Sequence, residues 1–324
     1  MNELRKDYFL DRWVIISPSR GKRPRDFGHK KQEIKPEVCF FCPGNEELTP
    51  PEICRVEENN EWIIRVFPNK FPAATLEEWE SNENFNENFN KNYLTKIPAY
   101  GEHEIIVETP DHDGEIDNLS VDSIVKVLDV CSNRANELMK NKGINYVSIF
   151  KNRGKEAGAS LLHTHIQLIS LPFIPTAVQA EVDASKKYLD EMGICPFCDI
   201  SKDEMKTARG IFEDENAAAF TPYASRFPYE VWIMPKRHIT GIDEMTEFEK
   251  YSIAKIMKNI LMKLNEKADN PPYNLLFHFG VDGADLHFHI EICPRLSTWA
   301  GFELGSGITI NTISPEDAAE FYKN

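Results

Sequence analysis

The segment with the most chemistry in it is Leu161-Leu-His-Thr-His-Ile-Gln-Leu-Ile-Ser170. It reads as a strand, so alternation puts His163, His165 and Gln167 on one face and Thr164 and Ile166 on the other. A neutral imidazole with one free ring nitrogen is a competent nucleophile toward a phosphoryl group. Its other nitrogen should donate to a backbone carbonyl and so fix the tautomer. Gln167 would donate an amide hydrogen bond to a phosphoryl oxygen as charge builds there, without titrating. Just upstream, Phe150-Lys-Asn-Arg-Gly-Lys-Glu-Ala-Gly-Ala-Ser160 combines small residues that admit a phosphate with two hydrogen-bond donors, Asn152 and Ser160.

Four of the seven cysteines form two CxxC pairs, Cys39/Cys42 and Cys195/Cys198. With two histidines apiece they make tetrahedral Cys2His2 zinc sites: Cys39, Cys42, His112 and His163 in one, Cys195, Cys198, His238 and His287 in the other. Four protein ligands leave no open coordination position, so two structural zinc ions per chain are expected. A zinc held by His163 would make the strand a rigid ledge for His165. The other cysteines, Cys54, Cys131 and Cys293, read as buried thiols. His29, His103 and His278 lack such partners and read as surface or core histidines.

These features recur in one order: CxxC, a strand ending in His, a second strand, then HxHx(Q/E). His112 precedes His163 by 51 residues and His238 precedes His287 by 49. The first CxxC-to-His gap is longer, 73 residues against 43. The Asn/Glu-rich stretch 77–92 accounts for much of the excess and reads as an inserted loop. A duplicated unit follows, with boundaries at 1–178 and 179–324 and a seam near Pro172 to Val178. Helical spacing of apolar residues predicts helices over Val121–Leu138, Gln179–Met192 and Phe248–Leu264. The fold class is α+β: two units, each a mostly antiparallel sheet carrying helices, forming one continuous or paired sheet.

Charge narrows the partners. Lys and Arg number 37 against 52 Asp and Glu, a net −15, which disfavours nucleic acid. No apolar run reaches membrane-spanning length, and the N-terminal stretch has no signal-peptide core, so a cytoplasmic protein is expected. A local basic cluster, Ser19 to Arg25, could still hold a phosphate.

The combination of HxHxQ with Phe-x-Asn-x-Gly and Ala-Gly-Ala-Ser resembles the galactose-1-phosphate uridylyltransferase branch of the histidine-triad superfamily. The resemblance runs from Arg20–Pro24 through the CxxC, Phe67-Pro-Asn-Lys-Phe-Pro-Ala73 and Pro110-Asp-His112 to Ala300-Gly-Phe-Glu-Leu-Gly-Ser-Gly307. It implies two histidine-triad-like units and transfer of UMP from UDP-glucose to a hexose 1-phosphate, galactose 1-phosphate, by a ping-pong route through uridylyl-His165. By position it implies that Gln167 stabilises the phosphoryl group and that Asn152, Gly158 and Ser160 hold phosphates. It further implies that Arg20, Arg23 and Asn69 bind nucleotide, that Phe302 and Glu303 meet the sugar, and that the protein is a homodimer.

Two residues depart from the pattern. Thr164 replaces the Pro common between the histidines of transferase members, and a small hydroxyl residue there is found in ADP-sugar phosphorylases. AMP transfer through the same histidine is therefore the alternative. Glu291 stands where Gln167 stands in the first half, and a carboxylate would repel phosphate, so the second half reads as structural, with His289 a core or secondary metal-site histidine. A non-catalytic zinc module leaves HxHxQ unexplained, and a thiol oxidoreductase leaves the matched histidines unexplained.

Overall fold

The computed structural model describes residues 3–6, 13–16, 38–76, 96–280 and 285–324. Arg20, Arg23, His29, the 77–92 stretch and the turn at 281–283 lie outside the described residues. Strands β1 (Glu3–Lys6), β2 (Trp13–Ile16) and β5 (Lys96–Pro98) pair antiparallel in a small sheet of order β2-β1-β5.

The main sheet carries β3 (Cys54–Glu58), β4 (Glu61–Pro68), β6 (His103–Val107), β7 (Tyr146–Arg153) and β8 (His165–Leu171) from the first half. From the second come β9 (Gly210–Glu213), β10 (Ala217–Phe220), β11 (Val231–Pro235), β12 (Tyr273–His278) and β13 (His289–Pro294). Its order is β3-β4-β6-β8-β7-β12-β13-β11-β10-β9, a sequence that reverses about its centre. The two halves are thus five-stranded antiparallel units joined edge to edge through β7 and β12, where Leu276 lies opposite Phe150. One sheet, continuous across the repeat, is the outcome.

Register assigns the two faces of this sheet. Ile64, Val66, Ile106, Ile166, Leu168, Ile149, Leu275 and Ile290 share the main apolar core. Helices α1 (Val121–Met139) and α4 (Glu247–Lys267) supply its other wall. In α1 the buried residues Ile124, Val127, Leu128, Cys131, Ala135 and Leu138 recur at three- and four-residue spacing, one stripe of the helix. Ser120 caps its start by accepting from the Ser123 amide, and Thr246 with Glu249 makes a capping box on α4, each cap worth about 1 kcal/mol. On the opposite face Val107 lies across from His165 and Ile105 across from Gln167. That face carries the site.

Helix α2 (Thr176–Met192) begins at the expected seam, and α3 (Pro196–Glu204) starts inside the second CxxC. The chain closes with α5 (Gly301–Ser306) and α6 (Pro315–Lys323). Three expectations need correction. His112 and His238 do not end strands; β6 stops at Val107 and β11 at Pro235, and the histidines follow on turns. The β6–β8 ladder ends where Val107 meets His165, the first residue of β8, and Pro235, which lacks the amide hydrogen a ladder needs, closes β11. The strand expected from Leu161 begins only at His165. Cys54 is exposed, because β3 is the outermost strand of its half, whereas Cys131 and Cys293 are buried.

Candidate active site

Both Cys2His2 groups assemble, their ligand atoms all within 4.8 Å of one another. In the first, Cys42 Sγ lies 3.3 Å from His112 Nδ1 and 3.6 Å from His163 Nδ1, and Cys39 Sγ lies 3.5 Å from His163 Nδ1. Metal–ligand distances of roughly 2.0–2.3 Å give a tetrahedron edges of about 3.3–3.8 Å, so the spacing fits one ion at the centre. His163 donates Nε2–H to the Thr109 carbonyl at 2.9 Å, leaving Nδ1 as a lone pair facing the thiols. The second group repeats the wiring. Cys198 Sγ stands 3.5 Å from His238 Nδ1 and 3.3 Å from His287 Nδ1, while His287 donates Nε2–H to the Pro235 carbonyl at 2.9 Å. A hydrogen bond with Cys198 holds the Cys195 thiol well below the usual range.

His165 enters its strand with the opposite tautomer. Its Nδ1–H donates to the His163 carbonyl at 2.9 Å, so Nε2 keeps its lone pair. Burial, outweighing the hydrogen bond to His163, pushes its pKa down to about 4, which leaves the imidazole neutral at physiological pH. Phe41, from the CxxC itself, meets the ring edge-on at 5.4 Å between centroids. His165 lines a cleft walled by Phe40, Phe67 and Phe71, with Asn69, Ser160 and Gln167 among its polar groups. Flat aromatic walls and a few polar atoms suit a nucleotide.

Gln167 is held by a residue the sequence did not single out. His103 Nε2 lies 3.0 Å from Gln167 Oε1, and the Ala73 amide donates to His103 Nδ1 at 3.1 Å. Asn69 is oriented by the Phe71 amide, which donates to Asn69 Oδ1 at 2.9 Å. Lys70, also unpredicted, borders the same cleft. A histidine opening an apolar strand and a lysine between prolines gave no signal in isolation.

Thr164 points away from all of this. Its hydroxyl sits behind the strand against Glu108 and the Lys151 ammonium, with Glu115 Oε2 at 3.3 Å. Thr164 is not among the residues that line the cleft.

The second half repeats the backbone and closes the pocket. His289 donates Nδ1–H to the His287 carbonyl at 2.9 Å, as His165 does to His163. However, Phe197 stacks flat on the His289 ring at 4.7 Å, and the imidazole is fully buried. Glu291 is buried as well; its charge is preserved against burial by hydrogen bonding to His278 and by Arg226, which pairs with Glu291 and, at 3.2 Å, with Glu230. An arginine thus occupies the space that the first half leaves open.

Residues 1–175 match the family described as the N-terminal domain of galactose-1-phosphate uridyl transferase. The chain is 33% identical over 328 residues to ADP-glucose phosphorylase of Arabidopsis thaliana, spanning 98% of this chain and 91% of that one. This chain belongs to the galactose-1-phosphate uridylyltransferase family. The family's Thermotoga maritima uridylyltransferase is likewise 33% identical, over 335 residues, covering 98% and 97% of the two chains. Among solved structures, the Arabidopsis thaliana ADP-glucose phosphorylase with bound ADP-glucose aligns at a TM-score of 0.78 and 31% identity, covering 100% of this chain and 98% of that one. A uridylyltransferase mutant aligns at 0.81 and 31%, covering 99% and 96%. Residues 111–321 also match a domain of unknown function, DUF4921. Relatives of both names support nucleotidyl transfer on a sugar phosphate, and this chain is a nucleotidyltransferase.

The residues expected from the family resemblance divide by place. Asn69 and Ser160 line the cleft beside His165 and Gln167. Asn152 and Gly158 stand off its lining; Asn152 Oδ1 accepts from Asn274 Nδ2 at 2.8 Å, and Gly158 turns at φ +87° beside the Asn152 amide. Phe302 and Glu303 lie on α5, with Phe302 exposed and Glu303 accepting from the Ala300 amide at 3.0 Å. The single chain does not bring them to the cleft that His165 lines.

Proposed function

We propose that the protein transfers UMP from UDP-glucose to galactose 1-phosphate in two half-reactions through a covalent uridylyl-His165. The single observation carrying this reading is the lone pair left on Nε2 of a neutral, buried His165 that lines an aromatic cleft, its tautomer locked by the His163 carbonyl. In the first step Nε2 attacks the α-phosphorus of the donor; the N–P bond forms, the P–O bond to the β-phosphate breaks, and glucose 1-phosphate leaves. In the second, a phosphate oxygen of the acceptor attacks the same phosphorus and His165 regains its lone pair. Gln167 donates to the phosphoryl oxygens, and Asn69 and Ser160 help bind the nucleotide and phosphates, with Arg20, Arg23, Asn152 and Gly158 in the same task. Phe302 and Glu303 of a homodimer are assigned to the hexose. Zinc, held by the two Cys2His2 groups, is structural, fixing the turn that carries His112 and the entry of the His165 strand.

A second reading keeps the nucleophile and changes the base: AMP transfer from an ADP-sugar. The 33% identity to an ADP-glucose phosphorylase favours it. Isotope exchange separates the two. With one donor and no second substrate, label from glucose 1-phosphate should enter UDP-glucose. Exchange into ADP-glucose alone would favour the second reading, and exchange into neither would overturn the covalent route.

A further inference from the structure

Resting on the covalent reading above, we propose that His103 is a positioning residue that sets the orientation of the Gln167 side-chain amide. A backbone amide can only donate, so the Ala73 N–H, 3.1 Å from His103 Nδ1, requires that nitrogen to accept. The hydrogen of the neutral ring then sits on Nε2. Nε2–H needs an acceptor, and Gln167 Oε1 lies 3.0 Å away. Asn69 is not the acceptor: its Oδ1 accepts from the Phe71 amide at 2.9 Å, and its NH2, 3.2 Å from Nε2, is itself a donor and makes no hydrogen bond to Nε2–H. One backbone amide therefore determines a tautomer, and the tautomer determines an amide flip. With Oε1 engaged by His103, the Gln167 NH2 is left to face the cleft, where it can donate to an anionic phosphoryl oxygen. The reversed amide would present its carbonyl oxygen to that anion.

The second half gives an internal contrast. There Trp232 lies opposite Glu291 as Ile105 lies opposite Gln167, so Glu230, two residues before Trp232, holds the place of His103. That pair is two carboxylates, and Arg226 fills the space between them. In the first half a neutral imidazole and a neutral amide satisfy each other and leave donors free for a ligand. Polarity at these two positions decides whether the pocket is open to phosphate or closed by the chain.

Two measurements on the metal-loaded protein test this. Imidazole 15N NMR of the resting enzyme should show His103 as the Nε2–H tautomer; an Nδ1–H ring would overturn the proposal whatever the activity. Single-turnover labelling of His165 then forms a double-mutant cycle. His103→Phe should slow labelling roughly 10–100-fold, with donor KM changed far less. In a Gln167→Ala background the same substitution should have no further effect. A purely structural role for His103 would give additive losses in the two backgrounds, and that result would contradict the assignment. Absence of any adduct in the unmodified enzyme would instead defeat the covalent reading, leaving the NMR result to decide the tautomer.

Discussion

The side chain of His165 donates Nδ1–H to the backbone carbonyl of His163, 2.9 Å away, while His163 turns its own Nδ1 to the thiols of Cys39 and Cys42. Two histidines two residues apart therefore hold opposite tautomers, one set for a metal and one for an electrophile. Their substitution should separate the roles. His165→Gly should abolish turnover with zinc content and folding intact, whereas His163→Ala should lose the metal of the first site and activity together. Metal analysis beside an activity assay checks both.

Thr164 faces the buried Lys151 and Glu108, behind the cleft. Replacing it by Val removes hydrogen bonds to charged partners and should destabilise the protein by about 1.5–3 kcal/mol. The ratio of kcat/KM for UDP-glucose to that for ADP-glucose should stay within roughly twofold, since a group outside the cleft makes no differential contact with the base. A large change in that ratio would return Thr164 to the specificity determinants.

Much of this was legible in the sequence because it repeats. The two CxxC pairs and matched histidines named both Cys2His2 clusters that the fold brings together, and alternation in His-Thr-His-Ile-Gln put His165 and Gln167 on one face. Contacts made across strands left no trace in spacing. His103 reaches Gln167 from β6, and Arg226 reaches Glu291 from a loop before β11. Nor could local pattern give the exposure of Cys54, which depends on β3 lying at the edge of the sheet. The turns carrying His112 and His238 were hidden because a run of apolar residues predicts a strand without predicting where its hydrogen bonds stop.

Lys151 is fully enclosed with Glu108 and has Glu115 Oε2 at 3.3 Å. Lys151→Met should lower stability by about 3–5 kcal/mol, because Glu108 would be left as an unpaired buried charge. Adding Glu108→Gln should recover part of that loss. Urea unfolding of the single and double variants measures both.

His278 lies 2.9 Å from Glu181 and 3.5 Å from Glu291, against the His289 ring. Burial lowers its pKa, but hydrogen bonds to Glu181 and Glu291 win and raise it to about 9. A raised histidine stabilises the fold fully below its unfolded pKa of about 6.5, and that contribution is lost as pH rises through about 9. Unfolding midpoints should therefore fall between pH 7 and 10 more steeply in the parent than in His278→Gln. Equal slopes would show that the imidazolium contributes nothing.

The most direct test is intact-protein mass after separate incubation with UDP-glucose and ADP-glucose near neutral pH, where a phosphoramidate to histidine survives. The proposed mechanism predicts a UMP-sized increment that maps to His165, disappears on adding galactose 1-phosphate and never forms in His165→Gly. An AMP-sized increment discharged by inorganic phosphate would move the enzyme to the second reading with the nucleophile unchanged. A folded, metal-loaded protein that gains no mass from either donor would contradict covalent catalysis at His165.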